Sequence, residues 1–401
     1  MSEWKEIEFS KILIDESISY GIVQPGAHTE INSIPIIRVN NIKNGYIQTE
    51  DVLKVEAAIE DKYKRTRLNG GELLITVVGS IGECAIVPEN LKGWNVARAV
   101  SVAKIKREYD IRFIKYAFQT DDLIFQMYGN TNDTVQPTLN LSSLKALKFS
   151  IPPLTEQQSI ASILSSLDDK IDLLHRQNAT LEKMAETLFR QWFVERFPEP
   201  VEGEAKEEWE EKPLSFFGAI ICGKTPPKSK HEYFNGKIPF IKIPDMHGKI
   251  FVFDSEDSLT KCGRDFQANK TLPPFSISVS CIATVGLVTM NAFESQTNQQ
   301  INSIIPKKDY YRYFLYLQMN SMYDELHAMA SGGTATLNLN TSNFAKITVP
   351  YVDDNYLINF NEATKPLFDK VYNNQTQIRT LTALRDTLLP KLMSGEVRVE
   401  N

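Results

Sequence analysis

The chain has 401 residues, 42% hydrophobic, 23% charged and 10% aromatic, which implies two or three globular domains and excludes collagen-like, mucin-like and wholly disordered chains. No run approaches the ~18 consecutive apolar residues of a membrane span, the start MSEWKEIEFSK has no secretory pattern, and four cysteines without CxxC spacing and five histidines without HExxH speak against zinc or disulfide frameworks. A reduced, cytoplasmic protein is expected. The net charge of −6 excludes nothing, because Lys and Arg outnumber Asp and Glu 13 to 10 over 213–350 while acid outnumbers base 7 to 3 over 196–212, and a nucleic-acid face needs only local positive potential.

Self-comparison shows a repeat. Ile34-Pro35-Ile36-Ile37-Arg38 matches Ile238-Pro239-Phe240-Ile241-Lys242, and ITVVGSIG (75–82) matches VSCIATVG (279–286), both at an offset of 204. Thr138-Leu139-Asn140-Leu141 recurs as Thr336-Leu337-Asn338-Leu339 at an offset of 198, and Asp169-Lys170-Ile171 as Asp369-Lys370-Val371. The period of about 200 residues divides the chain into a first mixed domain (1–150), a helix (151–195), an acidic Pro- and Gly-containing linker (196–212), a second mixed domain (213–350) and a second helix (351–401).

In the first domain, β-branched runs such as 73–78, bounded by Gly, Pro and Asn, predict strands. Lys64, Arg65 and Arg67, with Lys62, suit either DNA contact or a solvated helix face. Asn95 and Arg98 suit base contact or hydrogen bonding inside the domain. A polar, unpatterned loop before Thr138 carries Asn130, Thr131, Thr134 and Gln136, side chains able to pair with base edges or to lie on an ordinary surface loop.

After Pro152-Pro153, Thr155 and Glu156 predict a helix N-cap with acid in its first turn. Leu167, Ile171, Leu174, Asn178, Leu181, Ala185, Leu188 and Trp192 then step by alternating 4 and 3, the spacing of a coiled-coil seam. A helix over 155–193 would be about 58 Å long. Asn178 either fixes the register of the seam or sits solvated at its edge, and Trp192-Phe193 either caps a core or forms a docking patch.

The second domain opens with a basic, Pro-stiffened segment, Lys224, Thr225, Lys228 and Lys230, suited to phosphate contact or to a solvated face. Asn298, Gln299 and Gln300 stand where Asn95 and Arg98 stand in the first copy. Tyr310-Tyr311-Arg312-Tyr313-Phe314 predicts a helix whose aromatics fill the core. Ser331, Gly332, Gly333 and Thr334 form the counterpart of the first polar loop, with different chemistry. The closing helix repeats the seam with Val371, Asn374, Ile378, Leu381, Arg385, Leu388 and Leu392, ending at Pro390 and Gly395. Neither helix can bury its stripe alone, so antiparallel packing of one on the other is expected. The predicted fold is α/β (α+β): two mixed domains in tandem, joined by two long antiparallel coiled-coil helices.

Two catalytic motifs fail on inspection. Gly218 to Thr225 satisfies GxxxxGK[ST], but its loop would be Ala-Ile-Ile-Cys, followed by Pro226-Pro227, which suits neither a backbone phosphate cradle nor a direct entry into a helix. Leu272-Pro273-Pro274-Phe275 lacks the Asn or Asp that an amino-methyltransferase places before Pro-Pro.

The segment IPPLTEQQSIASILSSLDDKIDLLHRQNATLEKMAETLFRQWF, 151–193, resembles the central conserved region of specificity subunits of type I restriction-modification systems. LRDTLLPKLMSGEV, 384–397, is similar to their C-terminal conserved region, and GKTPPKSKHEYFNGKIPFIKIPDM, 223–246, to the opening of a target-recognition domain. The second helix departs in lacking the Leu-Thr-Glu-Gln start. The resemblance implies a non-catalytic chain that reads a bipartite duplex DNA target, one half-site per domain, with the helices as a ruler for the spacer. It also implies docking of two methyltransferase subunits and, through them, restriction subunits, with S-adenosylmethionine, ATP and Mg held by those partners and no cofactor on this chain. A coiled-coil scaffold whose two domains bind proteins without touching DNA is the alternative.

Overall fold

The computed structural model describes residues 4–129, 137–195, 210–331 and 337–399. Two compact units divide the chain: residues 1–173 with 377–401, and residues 174–376. Each therefore holds one globular domain and half of each long helix.

In the first unit, Leu13–Tyr20, Val100–Ile105, Leu73–Thr76 and Cys84–Ile86 form an antiparallel four-stranded sheet in that order. A smaller sheet places Ser33–Ile37 antiparallel to Leu53–Glu56 and parallel to Asn95–Val96. In the second unit, Gly218–Cys222, Ile301–Pro306, Ile277–Ser280 and Val288–Asn291 repeat the larger sheet, extended by Phe251–Val252 in parallel. Phe234–Ile241 likewise pairs with Asp257–Leu259 and, in parallel, with Gln296–Thr297. The central strands Leu73–Thr76 and Ile277–Ser280 are buried along their whole length; the first reads as a near-continuous apolar run, and the second buries Ser278 with its hydroxyl bonded to that of Ser303 at 2.9 Å. In each unit a strand at the start of the domain pairs with one at its end, Lys5–Glu8 with Lys148–Ile151 and Glu210–Pro213 with Thr348–Tyr351, so the chain leaves each domain for its long helix beside the point where it entered.

The two long helices, Leu154–Phe193 and Asp354–Met393, have 40 residues each, about 60 Å of rise. They pack together and run antiparallel: within the first unit Glu156 meets Arg398 and Asp168 meets Arg385, and within the second Asn178 meets Asn374 and the Trp192 carbonyl meets Tyr356. Asn178 is a buried seam residue, its Oδ1 accepting a 2.9 Å bond from Asn374 Nδ2. A polar pair of this kind penalises any slip of register, since a slip buries both amides unpaired.

The stripe is wider than a two-helix seam. Leu164, Asp168, Phe189 and Phe193 are buried, whereas of the heptad positions only Leu174, Asn178 and Ala185 are buried and Leu167, Ile171, Leu181, Leu188 and Trp192 are half-buried, because each helix packs on its domain as well as on its partner. Phe193 lies 4.8 Å from Phe314 and 4.9 Å from Phe360, so it caps a core, and Trp192 covers the same cluster at 5.6 Å from Phe360. Tyr311, Tyr313 and Phe314 fill that core as the aromatic pattern predicts.

Three local expectations are corrected. The first helix begins at Leu154, so Thr155 lies inside its first turn; the end is secured by Gln157, whose side chain bonds the Pro152 carbonyl and the Asp110 amide, both at 2.9 Å. Pro390 does not end the second helix, which runs to Met393: Pro390 is exposed, so the carbonyl it orphans faces solvent. Gly395, at φ 72°, stops it, with the Val397 amide returning to Lys391. The third concerns the repeat itself. Leu139 donates to the Val77 carbonyl and Leu339 to that of Cys281, while Asn140 and Asn340 cap equivalent helices through Ser143 and Asn343. The true offset here is 200, and the tetrapeptide match at 198 aligns residues with different structural roles.

The long helices meet the two domains through contrasting chemistry. In the first unit Asp168, 7% exposed, accepts from Tyr116 Oη at 2.6 Å and from Arg385 at 3.0 Å, with the Lys115 ammonium at 4.0 Å. At the repeat-equivalent positions the second unit has Phe368, Tyr316, Ala185 and Leu315, an apolar set in which Tyr316 packs edge-on to Phe368.

Candidate nucleic-acid interface

The same backbone hydrogen bonds set one turn in both domains. Ala97 and Asn298 donate to Ile37 and Ile241; Val77 and Cys281 donate to Ala99 and Gln300; Val100 and Ile301 donate back to Ala97 and Asn298. Ile22 and Lys224 then bond Val96 and Thr297. These pairings make Arg98 the structural equivalent of Gln299, and both side chains are exposed, Arg98 between the half-buried Ala97 and Ala99 and Gln299 between the buried Asn298 and the half-buried Gln300.

A glycine lies beneath each turn because the chains cross there without room for a side chain. A Cβ on Gly21 would lie 2.0 Å from the Val96 carbonyl oxygen, and one on Gly223 2.1 Å from that of Asn298. Gly218–Cys222 is a sheet strand, so the GxxxxGKT match is a strand and a close crossing rather than a phosphate loop.

Beyond Gly223, Lys224, Lys228 and Lys230 are exposed. Lys230 stands 3.8 Å from Glu232, whereas Lys224 and Lys228 have no ion pair among the described residues. Thr225 points back, its hydroxyl donating to Gln299 Oε1 at 2.8 Å. The first domain carries Ile22, Val23 and Gln24 in place of Lys224, Thr225 and Pro226, so this basic segment belongs to the second repeat.

The other sequence candidates divide by burial. Asn95 is 0% exposed and donates to Glu60 at 2.9 Å and to the Tyr63 carbonyl at 3.1 Å. Arg67 donates to both Glu60 oxygens, its Nε at 2.8 Å to the Oε1 that Asn95 also bonds and its Nη2 to Oε2, and this hydrogen bonding keeps Glu60 below the ordinary carboxylate range. Asn95 from inside and the part-exposed Arg67 from outside thus clasp the buried Glu60 and tie the short helix Asp61–Thr66 to the smaller sheet, and a base edge cannot reach Asn95. Lys64 pairs with Asp61 at 2.7 Å; Arg65 is exposed without a partner among the described residues. Asn298 is buried and bonded to Gln300 at 2.9 Å, and Ser331 donates to the His327 carbonyl at 2.7 Å. Asn130, Thr131, Thr134, Gln136, Gly332, Gly333 and Thr334 lie outside the described residues.

Sequence reading passed over an open cleft of about 600 Å³ in the first unit, lined by Val39, Asn40, Lys43, Asn44, Gly79, Ser80 and Ala99 among others. Its rim is a two-residue hairpin in which Lys43 pairs with Tyr46 around Asn44 and Gly45, at φ 52° and 82°. An Asn-Gly dipeptide between short β runs is a hairpin signal in its own right. Gly79, across the cleft, donates to the Pro137 carbonyl at 3.2 Å. Among the described residues no group of His, Cys, Asp and Glu has the arrangement of a metal site, and no helix is long and apolar enough to cross a membrane.

Residues 20–183 and 206–356 each match the type I restriction modification DNA specificity domain. The chain belongs to this family. Among curated specificity subunits, it is 37% identical over 339 residues to the HindI specificity subunit of Haemophilus influenzae, covering 68% of this chain and 74% of that one. It is 28% identical over 346 residues to the MjaIX specificity subunit of Methanocaldococcus jannaschii, covering 82% and 78%. A crystal structure of the type I restriction-modification S subunit from M. genitalium shares the fold, with a TM-score of 0.64 at 17% identity, covering 97% of this chain and 96% of that one. In this specificity subunit the two matched DNA specificity domains therefore present one backbone frame with different exposed side chains, Arg98 in the first and Gln299, backed by Lys224 and Lys228, in the second.

Proposed function

We propose that this chain is the non-catalytic reader of a type I restriction-modification complex, each domain recognising one half of a split duplex DNA sequence. The observation that supports this most is the presence of two family domains in one chain with matching backbone turns and non-matching exposed side chains. Two readers of different half-sites call for that combination. Half-sites read from one face of B-DNA lie about 34–36 Å apart, or a multiple of that. The pair of 40-residue helices, their register favoured by Asn178–Asn374, is the proposed ruler for that spacer. The helices are also the proposed docking surface for two methyltransferase subunits, which would carry S-adenosylmethionine, with ATP and Mg on the restriction subunits beyond them.

The decisive experiment is genome-wide methylation mapping in cells expressing this chain with its methyltransferase subunit. A split motif with two short half-sites, modified on opposite strands, is expected. No motif from an assembled complex would move the reading to a coiled-coil scaffold that binds proteins.

Two further outcomes follow. Lys224→Ala with Lys228→Ala should weaken DNA binding alike for all sequences and flatten the dependence of log K on log salt by up to ~1 per lost phosphate contact. A titration series from low to high salt checks this, and an unchanged slope removes both lysines from the interface. Inserting one heptad into each long helix beside Asn178 and Asn374 should lengthen the tolerated spacer and leave both half-sites intact. Methylation mapping reads the result, and loss of a half-site would defeat the ruler.

A further inference from the structure

The equivalence of Arg98 and Gln299 carries a more specific consequence. Both occupy the middle of the three-residue connection between a two-residue strand of the smaller sheet (Asn95–Val96, Gln296–Thr297) and a strand of the larger one (Val100–Ile105, Ile301–Pro306). Both flanks are pinned by the backbone bonds given above, so the turn is held by two sheets at once. Side chains on such a frame are presented in a defined direction, unlike side chains on a long loop.

The chemistry at the two positions differs in a way that matters for DNA. Arg98 is exposed and has no ion-pair partner among the described residues, whereas Arg67, Arg112, Arg190, Arg264, Arg312 and Arg385 each pair with a carboxylate. A guanidinium left unpaired on a pinned turn keeps its two-donor fork for a ligand with two adjacent acceptors, which is what the O6 and N7 edge of guanine presents. Gln299 presents an amide, one donor beside one acceptor, the complement of the N7 and N6 edge of adenine. Its oxygen is steadied by the Thr225 hydroxyl at 2.8 Å, which uses one lone pair and leaves the other and the NH2 group open. The first repeat has Val23 where Thr225 stands, and a guanidinium would gain nothing from a hydroxyl donor there.

We propose that Arg98 and Gln299 are the corresponding base-reading residues of the two domains, Arg98 selecting guanine in one half-site and Gln299 adenine in the other, with Thr225 a positioning residue for Gln299. This rests on the reading of the chain as a two-half-site DNA reader.

The test maps methylated motifs from complexes built with the native chain, with Arg98→Ala, Arg98→Lys, Gln299→Ala and Thr225→Val. Arg98→Ala should turn one guanine of one half-site into a relaxed position, lowering discrimination there roughly 5- to 100-fold, with the other half-site unchanged. Arg98→Lys keeps a cation, loses the planar fork and should relax the same position. Gln299→Ala should relax one adenine of the opposite half-site, and Thr225→Val should relax that adenine alone, a position-specific readout that general loosening of the domain would not produce. Both substituted side chains are exposed, so melting temperatures should stay within a degree or two of the native value. A native split motif that Arg98→Ala and Gln299→Ala leave intact overturns this inference alone, as does a change in both half-sites from either one. A native complex that marks no split motif overturns the parent reading with it.

Discussion

Asp168→Ala is expected to destabilise the first unit by about 3–5 kcal/mol, the usual consequence of removing one partner from a buried ion set. Asp168 faces two cations there, the Lys115 ammonium, itself 8% exposed, at 4.0 Å and Arg385 at 3.0 Å, and of these Arg385 also pairs with the exposed Asp386 at 2.8 Å. Its removal also leaves the Tyr116 hydroxyl without its 2.6 Å acceptor. The repeat supplies its own control. Replacing the whole set with the second unit's equivalents, Asp168→Phe, Lys115→Leu and Arg385→Ala, removes every buried charge together, and that variant should match or exceed native stability. Burial already pushes the Lys115 ammonium below its ordinary pKa, and Asp168 is the main influence opposing this. In Asp168→Ala the folded chain therefore holds the Lys115 proton still more weakly than the unfolded chain does, so the deficit is full at neutral pH and shrinks as pH rises towards ~10. Urea unfolding at pH 7 and pH 9.5, followed by hydrogen exchange of amides in 111–117, measures both effects. A loss under 1 kcal/mol, or a deficit that grows with pH, would refute the ion-set account.

Gly223→Ala should be comparably damaging, about 3 kcal/mol or more, at the upper end of overpacking costs. The added methyl would meet the Asn298 carbonyl oxygen at 2.1 Å and the Thr297 carbonyl at 2.4 Å. Both are backbone atoms fixed by the strand Gln296–Thr297 and its turn, so no rotamer change relieves the contact. Gly21→Ala should do the same in the first unit, where the Val96 carbonyl would lie at 2.0 Å. A phosphate-loop glycine makes the opposite prediction, in which alanine abolishes nucleotide binding and leaves folding almost untouched. Thermal unfolding with and without ATP and Mg separates them: the crossing predicts a lowered melting temperature for the alanine variant and no ATP-dependent shift in the native chain. An ATP-dependent shift lost in Gly223→Ala would restore the phosphate-loop reading.

The repeat, the tandem of two mixed domains and the two long helices are all legible in the order of the residues, because each is written in a local pattern repeated over many residues. Alternating steps of 3 and 4 from Leu167 to Trp192 need no knowledge of distant contacts, and Asn178 stands out within that stripe as the one polar member. What required the tertiary structure was every pairing. The stripe could not show that Asn178 meets Asn374, nor that Phe189 and Phe193 are buried beside it by a core made from residues far along the chain. A repeated tetrapeptide suggested an offset of 198, and hydrogen bonds to Val77 and Cys281 made it 200. Asn95 and Arg98, three residues apart and equally polar on paper, separate completely: Asn95 turns inward to Glu60, and Arg98 stays outside on the turn that follows. The physical reason is common to all of these. Periodicity records which face of an element is apolar, whereas partner, register and burial are decided where two elements distant in sequence compete for the same space and the same hydrogen bonds.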